Sequence, residues 1–304
     1  MDTTAKAAAP QADVAQIQAF MRGASFEATR PSAADVAALG ETLPRGTLLY
    51  LTAIPGKPLS ELLAATQAAR AAGLEPVPHL SARHFPDMAA VDAFVAEAVA
   101  RAQVRTVLLV GGDIAEPKGT VRDALSVIES GVFEKHGIRD VGLAGFPDGH
   151  PQMSEDELEA NLLTKLAALQ RHGVDSHVVT QFCFDARPIL SWLAALRGRG
   201  VQAPVRIGLA GPTNLLTWLN YARRCGVKAS AEALASRSGL VKQAFRPVAP
   251  DPLIRTLAGA AAAGLLEGAQ AHFFAFGGVT QTAKWALAPM TGAIRLTSGG
   301  FDPA

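Results

Sequence analysis

The chain has 304 residues, 49% of them apolar and 18% charged, a balance that excludes a disordered chain and provides for a large core. Lys and Arg total 28 against 27 Asp and Glu, a formal net charge of +1. No global excess of charge points to nucleic acid or an anionic membrane as a partner.

In chain order, residues 1–12 read as a frayed tail without the charged-then-apolar layout of a signal peptide. Eight short apolar runs follow, at 23–27, 47–52, 76–81, 105–110, 141–146, 177–182, 205–209 and 271–276. Each is bounded by Gly, Pro or polar residues, as buried parallel strands tend to be. Helical spacing fills the intervals. In 59–72, Leu59, Leu62, Leu63, Thr66 and Ala69 share a face, and Gly73 is a stop. The stretch 87–102 carries an apolar stripe from Met88 to Val99. In 154–172, Ser154 and Glu157 fit a capping box. Residues 188–196, 214–225 and 253–266 read as further helices, with Asn214 as a candidate cap. The stretch 229–250 predicts an extra helix and a loop, and the closing TSGGFDPA reads as a frayed end. No apolar run reaches the roughly 18 residues of a membrane helix. Strands alternating with helices at this length predict one α/β domain, a (β/α)8 TIM barrel, over an open doubly wound sheet. No GxGxxG follows an early strand, and polar residues gather at the ends of many strands.

In such a barrel the C-terminal strand ends form the active face. Those ends present Glu27, Thr52, His79, Asp113, His150 and Gln181. Glu27, desolvated at a strand end, suits a general acid; its alternative is an ion pair with Arg30 or Arg83. Gly111 and Gly112 before Asp113 let a ligand approach the backbone, or simply make a turn. His79 and His150 suit cofactor contacts or ordinary hydrogen-bonded pocket groups. No HExxH or third ligand at metal spacing accompanies them, so no metal is expected. Gln181 offers a donor and an acceptor to a heterocycle edge, or to the backbone. Cys183 reads as packing. Two cysteines, Cys183 and Cys225, make no disulfide framework and fit a reducing cytoplasm. Trp218 and Tyr221 lie on one helix as stacking candidates, with core packing the default for aromatics at helical spacing.

Taken in order, SFE at 25–27, PHLSA at 78–82, LLVGGD at 108–113, FPDGHPQ at 146–152, HGVD at 172–175 with VVTQFCFDA at 178–186, and IGLAGPTN at 207–214 resemble the methylenetetrahydrofolate reductase family. The resemblance spans about residues 20–285. It implies a (β/α)8 barrel binding FAD, with NAD(P)H as hydride donor. The reaction implied is ping-pong reduction of 5,10-methylenetetrahydrofolate to 5-methyltetrahydrofolate. By position, Glu27 matches the acid that protonates folate N10, and Asp113 matches an aspartate near the flavin and pterin. Thr52, His79, Gly112, Phe146 and His150 fall at flavin-contacting positions, with Gln181 and Tyr221 at folate-contacting ones. The implied partner is a small-molecule folate, with no nucleic acid or membrane, and an apolar outer helix leaves room for a homo-oligomer.

The departures concentrate on the cofactor side. Gly111 stands where the family usually has Arg, and Phe146 where it often has Tyr. The lysine that helps hold the FAD diphosphate has no counterpart; Lys165 falls a turn early, and Arg171 is the substitute within reach. One extra residue precedes Gln181, and FHFYTLN becomes AHFFAFGG at 271–278. Two alternatives therefore accompany the flavoenzyme: direct hydride transfer from NAD(P)H to folate without a flavin, and a folate-binding accessory of a methyl-transfer system.

Overall fold

The computed structural model describes residues 12–29, 31–54, 56–225, 227, 245 and 247–304. Eight parallel strands close into a barrel: β1 (Ser25–Ala28), β2 (Leu48–Leu51), β3 (Glu75–Ser81), β4 (Thr106–Val110), β5 (Asp140–Gly145), β6 (Asp175–Cys183), β7 (Val205–Ala210) and β8 (Ala269–Phe274). Each pairs with its neighbours in chain order, and β8 closes on β1 with Ser25 opposite His272 and Glu27 opposite Phe274. This is the (β/α)8 fold expected from the sequence.

Outside the barrel stand α1 (Val14–Met21), α2 (Ala33–Thr42), α3 (Leu59–Ala71), α4 (Met88–Ala102), α5 (Ala124–Glu129), α6 (Val132–His136), α7 (Glu155–Arg171), α8 (Ala186–Gly198), α9 (Leu215–Arg224), α10 (Asp251–Ala262) and α11 (Val279–Thr291). The main core lies between this layer and the sheet. Phe26, Leu49, Leu51, Leu109, Leu143, Ile207 and Phe273 point outward from the strands to meet Leu39, Val95, Leu169 and Ile254. The alternate strand positions face the barrel axis, as a period of two requires. Among the described residues, no helix is long and apolar enough to cross a membrane.

Several local expectations hold for their stated reasons. The Ser154 hydroxyl accepts the Glu157 N–H while the Glu157 carboxylate takes the Ser154 N–H. Asn214 caps α9 by accepting the Thr217 N–H at 2.9 Å. Ser154→Ala is expected to cost about 1 kcal/mol, lowering the thermal midpoint by about 2–4 °C in a melting experiment.

Other expectations shift. Leu59 opens α3 but is exposed, leaving the inner face to Leu62, Leu63, Thr66 and Ala69. The tail does not run to residue 12, because Ala12 is buried and its carbonyl accepts from Arg255. The chain end is not frayed either: Ile294–Leu296 and Phe301–Pro303 form an antiparallel pair, with Phe301 buried against Trp285. The eighth strand starts two residues earlier than its apolar run and stops at Phe274, which leaves Phe276 in the following loop. Most of the extra helix expected in 229–250 falls outside the described residues; within that interval Pro247–Val248 pairs with Thr213–Asn214.

Candidate active site

The C-terminal mouth is built around Glu27. Its side chain, at the inward-facing end of β1, keeps only 14% of its surface exposed. The Thr52 hydroxyl, just past β2, reaches Oε1 at 3.5 Å and is itself 3.3 Å from the Thr29 hydroxyl. Two imidazoles flank the other oxygen: His79 Nε2 from β3 at 3.5 Å and His272 Nε2 from β8 at 3.7 Å. Neither Nε2 has a hydrogen-bond partner among the described residues. His272 is held on its far side, where Nδ1 lies 2.8 Å from the Ser25 hydroxyl.

The electrostatics follow from burial. Desolvation raises the Glu27 carboxyl above its usual range, with the His79 charge and the Thr52 hydrogen bond opposing. Desolvation also lowers His79, and it drives His272 well below an ordinary histidine, helped by the Arg206 and His177 charges. The cluster is therefore a carboxyl inclined to keep its proton between two rings inclined to stay neutral. The ion-pair alternative for Glu27 is not met by Arg83, whose Nη1 donates to the Ile114 carbonyl at 2.8 Å. Arg30 lies outside the described residues.

The remaining sequence candidates line the mouth in separate groups. Asp113 is 70% exposed and hydrogen-bonds His84 Nε2 at 2.8 Å rather than joining Glu27. Gly112 before it has φ +102°, a conformation that favours glycine, and a Cβ there would meet the His84 ring at 3.0 Å. A side chain at Gly111 would meet the Arg83 guanidinium at 3.1 Å, so a cation from the β3 end fills that space. Phe146, just past β5, packs edge-on against the His150 ring at 5.1 Å. His150 Nδ1 accepts the Gln152 N–H.

Gln181 owes its placement to the extra residue noted in the sequence. Val179 pairs with Arg206 but Phe182 pairs with Gly208, so β6 carries a bulge of one residue there. The bulge folds over Gly208, where a Cβ would come within 2.5 Å of the Thr180 and Gln181 carbonyls. Gln181 Oε1 is buried with no hydrogen-bond partner among the described residues. Such an unmet acceptor is costly unless something donates to it. Tyr221 is stacked on Phe276 with ring centroids 3.9 Å apart, so that face of the ring is already covered. Trp218 is core, its Nε1 donating to the Gly211 carbonyl. Cys183 is buried, as its packing role requires, and burial pushes its thiol pKa up.

On the cofactor side one expectation fails on geometry. Arg171 ends α7 beside Glu129, with which it pairs, at the opposite end of the barrel from the mouth. It cannot replace a diphosphate-binding lysine at the C-terminal face. Lys165 is turned inward and its pKa is lowered by desolvation, with Asp123 opposing. Among the described residues, no group of three or more His, Cys, Asp or Glu is placed to hold a metal ion. A pocket of about 290 Å³ opens at the ends of β1 and β2, lined by Thr52, Ile54, Lys57, His84 and Lys118 among others.

Sequence reasoning did not single out His272 or Ser25. The signal was the alternation along β8, where Gln270, His272 and Phe274 share the inward face.

A (β/α)8 barrel with a buried acid at its C-terminal mouth defines a broad class of enzymes and binders. A family model for methylenetetrahydrofolate reductase matches residues 56–243, and the chain belongs to that family. Among solved structures, an uncharacterized protein from Clostridium thermocellum, described as binding two copies of 5-methyl-5,6,7,8-tetrahydrofolic acid, superposes with a TM-score of 0.57. The alignment covers 91% of this chain and 98% of that one at 9% identity, a likeness of fold.

Proposed function

We propose that the protein reduces 5,10-methylenetetrahydrofolate to 5-methyltetrahydrofolate with NAD(P)H, through bound FAD, in a reducing cytoplasm. The observation that carries this reading is Glu27: a carboxyl with raised pKa, between two imidazoles that among the described residues have no hydrogen-bond partner at Nε2, in a barrel of this family. A passive folate binder needs no buried acid. The structural neighbour, described as binding a reduced folate, is consistent with a folate in such a barrel.

Glu27 donates its proton to folate N10, so that the five-membered ring opens to an electrophilic iminium carbon. The neutral rings of His79 and His272 leave that proton on the carboxyl instead of drawing it into an ion pair. Gln181 Oε1, unmet within the described residues, accepts from the pterin edge and fixes its plane. Asp113, braced by His84, meets the ligand from the glycine turn.

FAD, when bound, supplies the two-electron carrier between nicotinamide and folate. The residues fit its ring better than its diphosphate. Of the positions matched to flavin contacts, Thr52 lines the 290 Å³ pocket, which has room for a ring. Among the described residues, no lysine stands where the resemblance expects one for the diphosphate. That specific difference favours, as the second reading, direct hydride transfer from NAD(P)H to folate on the same acid.

The absorption spectrum of the purified protein, before and after adding FAD, separates the two. A bound-flavin spectrum that bleaches with NAD(P)H is the expected result. A colourless protein that takes up no FAD yet oxidises NAD(P)H only with folate present establishes the direct route. A colourless protein inactive with folate leaves the binding role.

A further inference from the structure

β1 and β8 set a serine and the acid on either side of one imidazole. Ser25 pairs with His272 across the two strands, and Glu27 pairs with Phe274 two residues on. A period of two turns these four side chains to the barrel axis, while Phe26 and Phe273 stack on the outer face. On its other side His272 pairs with Gly208 of β7, so Ser25 is the one side chain in register with it. His272 Nδ1 lies 2.8 Å from the Ser25 hydroxyl, and Nε2 lies 3.7 Å from Glu27 Oε2. Ser25 and His272 are both fully buried. Edge-on contacts hold the ring: Tyr50 with centroids 4.7 Å away and Phe274 at 5.1 Å. Tyr50 is fixed in turn. Its hydroxyl is 2.7 Å from His177 Nε2, and His177 Nδ1 is 2.8 Å from an Asp140 carboxylate oxygen. These contacts oppose a half-turn of the His272 ring, which would exchange its nitrogens for carbons.

The hydrogen bonds then decide which nitrogen carries the proton. A neutral imidazole has one N–H and one bare nitrogen. Among the described residues, His272 Nδ1 is the sole hydrogen-bond partner of the Ser25 hydroxyl. Were Nδ1 the donor, the serine proton would be buried with no acceptor, and a bare Nε2 would be unmet as well. With the serine donating to a bare Nδ1, one unmet group remains, the Nε2–H, and it faces the acid.

We propose that Ser25 is a positioning residue for the acid: its hydroxyl occupies Nδ1 and holds His272 in the Nε2–H form, which cannot take the Glu27 proton and donates to the carboxylate once that proton is given up. The proposal deepens the reductase reading and rests on it for its catalytic consequence, but the tautomer is testable alone. Before reaction the one basic nitrogen of the ring is turned away from Glu27, so the proton stays on the carboxyl. Folate N10 then takes that proton, and the bond from N10 to the methylene carbon breaks with its electron pair passing to N10. The N5 lone pair completes the iminium. The negative charge left on Glu27 meets an N–H already aimed at it. Closing the 3.7 Å separation follows the usual behaviour of catalytic hydrogen bonds, which shorten in the complex with substrate.

The test compares ¹⁵N-histidine-labelled full-length wild type with Ser25→Ala and Ser25→Thr at pH 7, the ring signals being assigned with His272→Gln. The wild-type ring is expected to carry its proton on Nε2 with Nδ1 bare. In Ser25→Ala a large share of molecules is expected to carry a proton on Nδ1. Ser25→Thr keeps the hydroxyl and is expected to keep the wild-type form. His79 is the control: no side chain among the described residues hydrogen-bonds its ring, and its signals are expected to stay unchanged. In steady-state folate reduction Ser25→Ala is expected to lose about tenfold in kcat, the worth of one hydrogen bond, with KM for folate kept and Ser25→Thr restoring most of the loss. A wild-type ring with its proton on Nδ1 overturns the proposal, and this spectrum decides even if no variant folds. A Ser25→Ala ring whose Nδ1 stays bare also overturns it, as does a kcat loss that persists in a Ser25→Thr protein holding the Nε2–H form. If the wild type does not reduce the folate but both rings behave as described, the reductase reading fails and the hold of Ser25 on His272 stands.

Discussion

Glu27→Gln is expected to lower folate reduction by about 10²–10⁴-fold, the range for removing a general acid. Gln preserves the shape of the side chain and can still face Thr52, but it has no acidic proton to give N10. Folate binding is expected to persist, because the Gln181 and Asp113 positions are unchanged. Under the flavin route, NAD(P)H oxidation with an artificial acceptor is expected to continue at the wild-type rate, since that half-reaction needs no proton on N10. Stability gives an internal control. The folded pKa of Glu27 is raised by desolvation, so its favourable contribution is present below the unfolded value of about 4.5 and is lost as pH rises through the folded one. At pH 7 the wild type carries the cost of a carboxyl held away from water, which Gln does not share. The variant is therefore expected to melt at or above the wild-type temperature at pH 7, and no higher than wild type at pH 4. Full folate reduction by Glu27→Gln removes the residue from the acid role; a variant that melts well below wild type at pH 7 contradicts the account of its burial.

Strand number, barrel closure and the Glu27 position were legible because each rests on short-range pattern. Strands buried on both faces read as apolar runs, and a strand end needs only the next turn signal to be located. The one-residue excess before Gln181 was legible as an insertion, but its meaning, a bulge packed over Gly208, depends on the neighbouring strand. The helices α1, α2, α5, α6 and α11 were not read from the sequence; α1, α5 and α6 run for only 8, 6 and 5 residues, too short for an apolar stripe to repeat. The closing segment read as frayed because Gly and Pro mask its pairing with Ile294–Leu296, which buries Phe301. Least legible was the polar interior. Tyr50 sits within TLLYLT and His177 opens HVVTQF, and either fits a strand with no special role. Only closure of the barrel brings β2 opposite β6 and sets the hydroxyl on the imidazole. The cofactor positions show the converse limit: motif spacing made Arg171 a substitute for the missing lysine, whereas helix direction carries it to the wrong end of the barrel.

Gly142→Ala is expected to be strongly damaging, by crowding a side chain buried beneath the site. The backbone conformation at Gly142 suits any residue, so the effect is purely one of space. The new Cβ would lie 2.6 Å from His177 Nε2, 2.9 Å from its Cε1 and 2.9 Å from Leu108 Cδ1. His177 cannot yield cheaply, because it is held by Tyr50 on one nitrogen and Asp140 on the other. Overpacking of this kind costs about 1–3 kcal/mol, and a buried hydroxyl left unmet adds about 1–3 more. At about 2–4 °C per kcal/mol, the thermal midpoint is expected to fall by about 4–24 °C. Displacing His177 also frees Tyr50 beneath His272, so the surviving protein is expected to lose rate in the folate step more than in nicotinamide oxidation. The cause is separable from a general loss of packing by a double-mutant cycle with His177→Ala. Removing the ring removes the clash, so adding Gly142→Ala to His177→Ala is expected to cost less than about 1 kcal/mol. Strict additivity of the two changes would mean that Gly142 does not make room for His177, and the polar chain under the acid would lose the contact that explains its glycine.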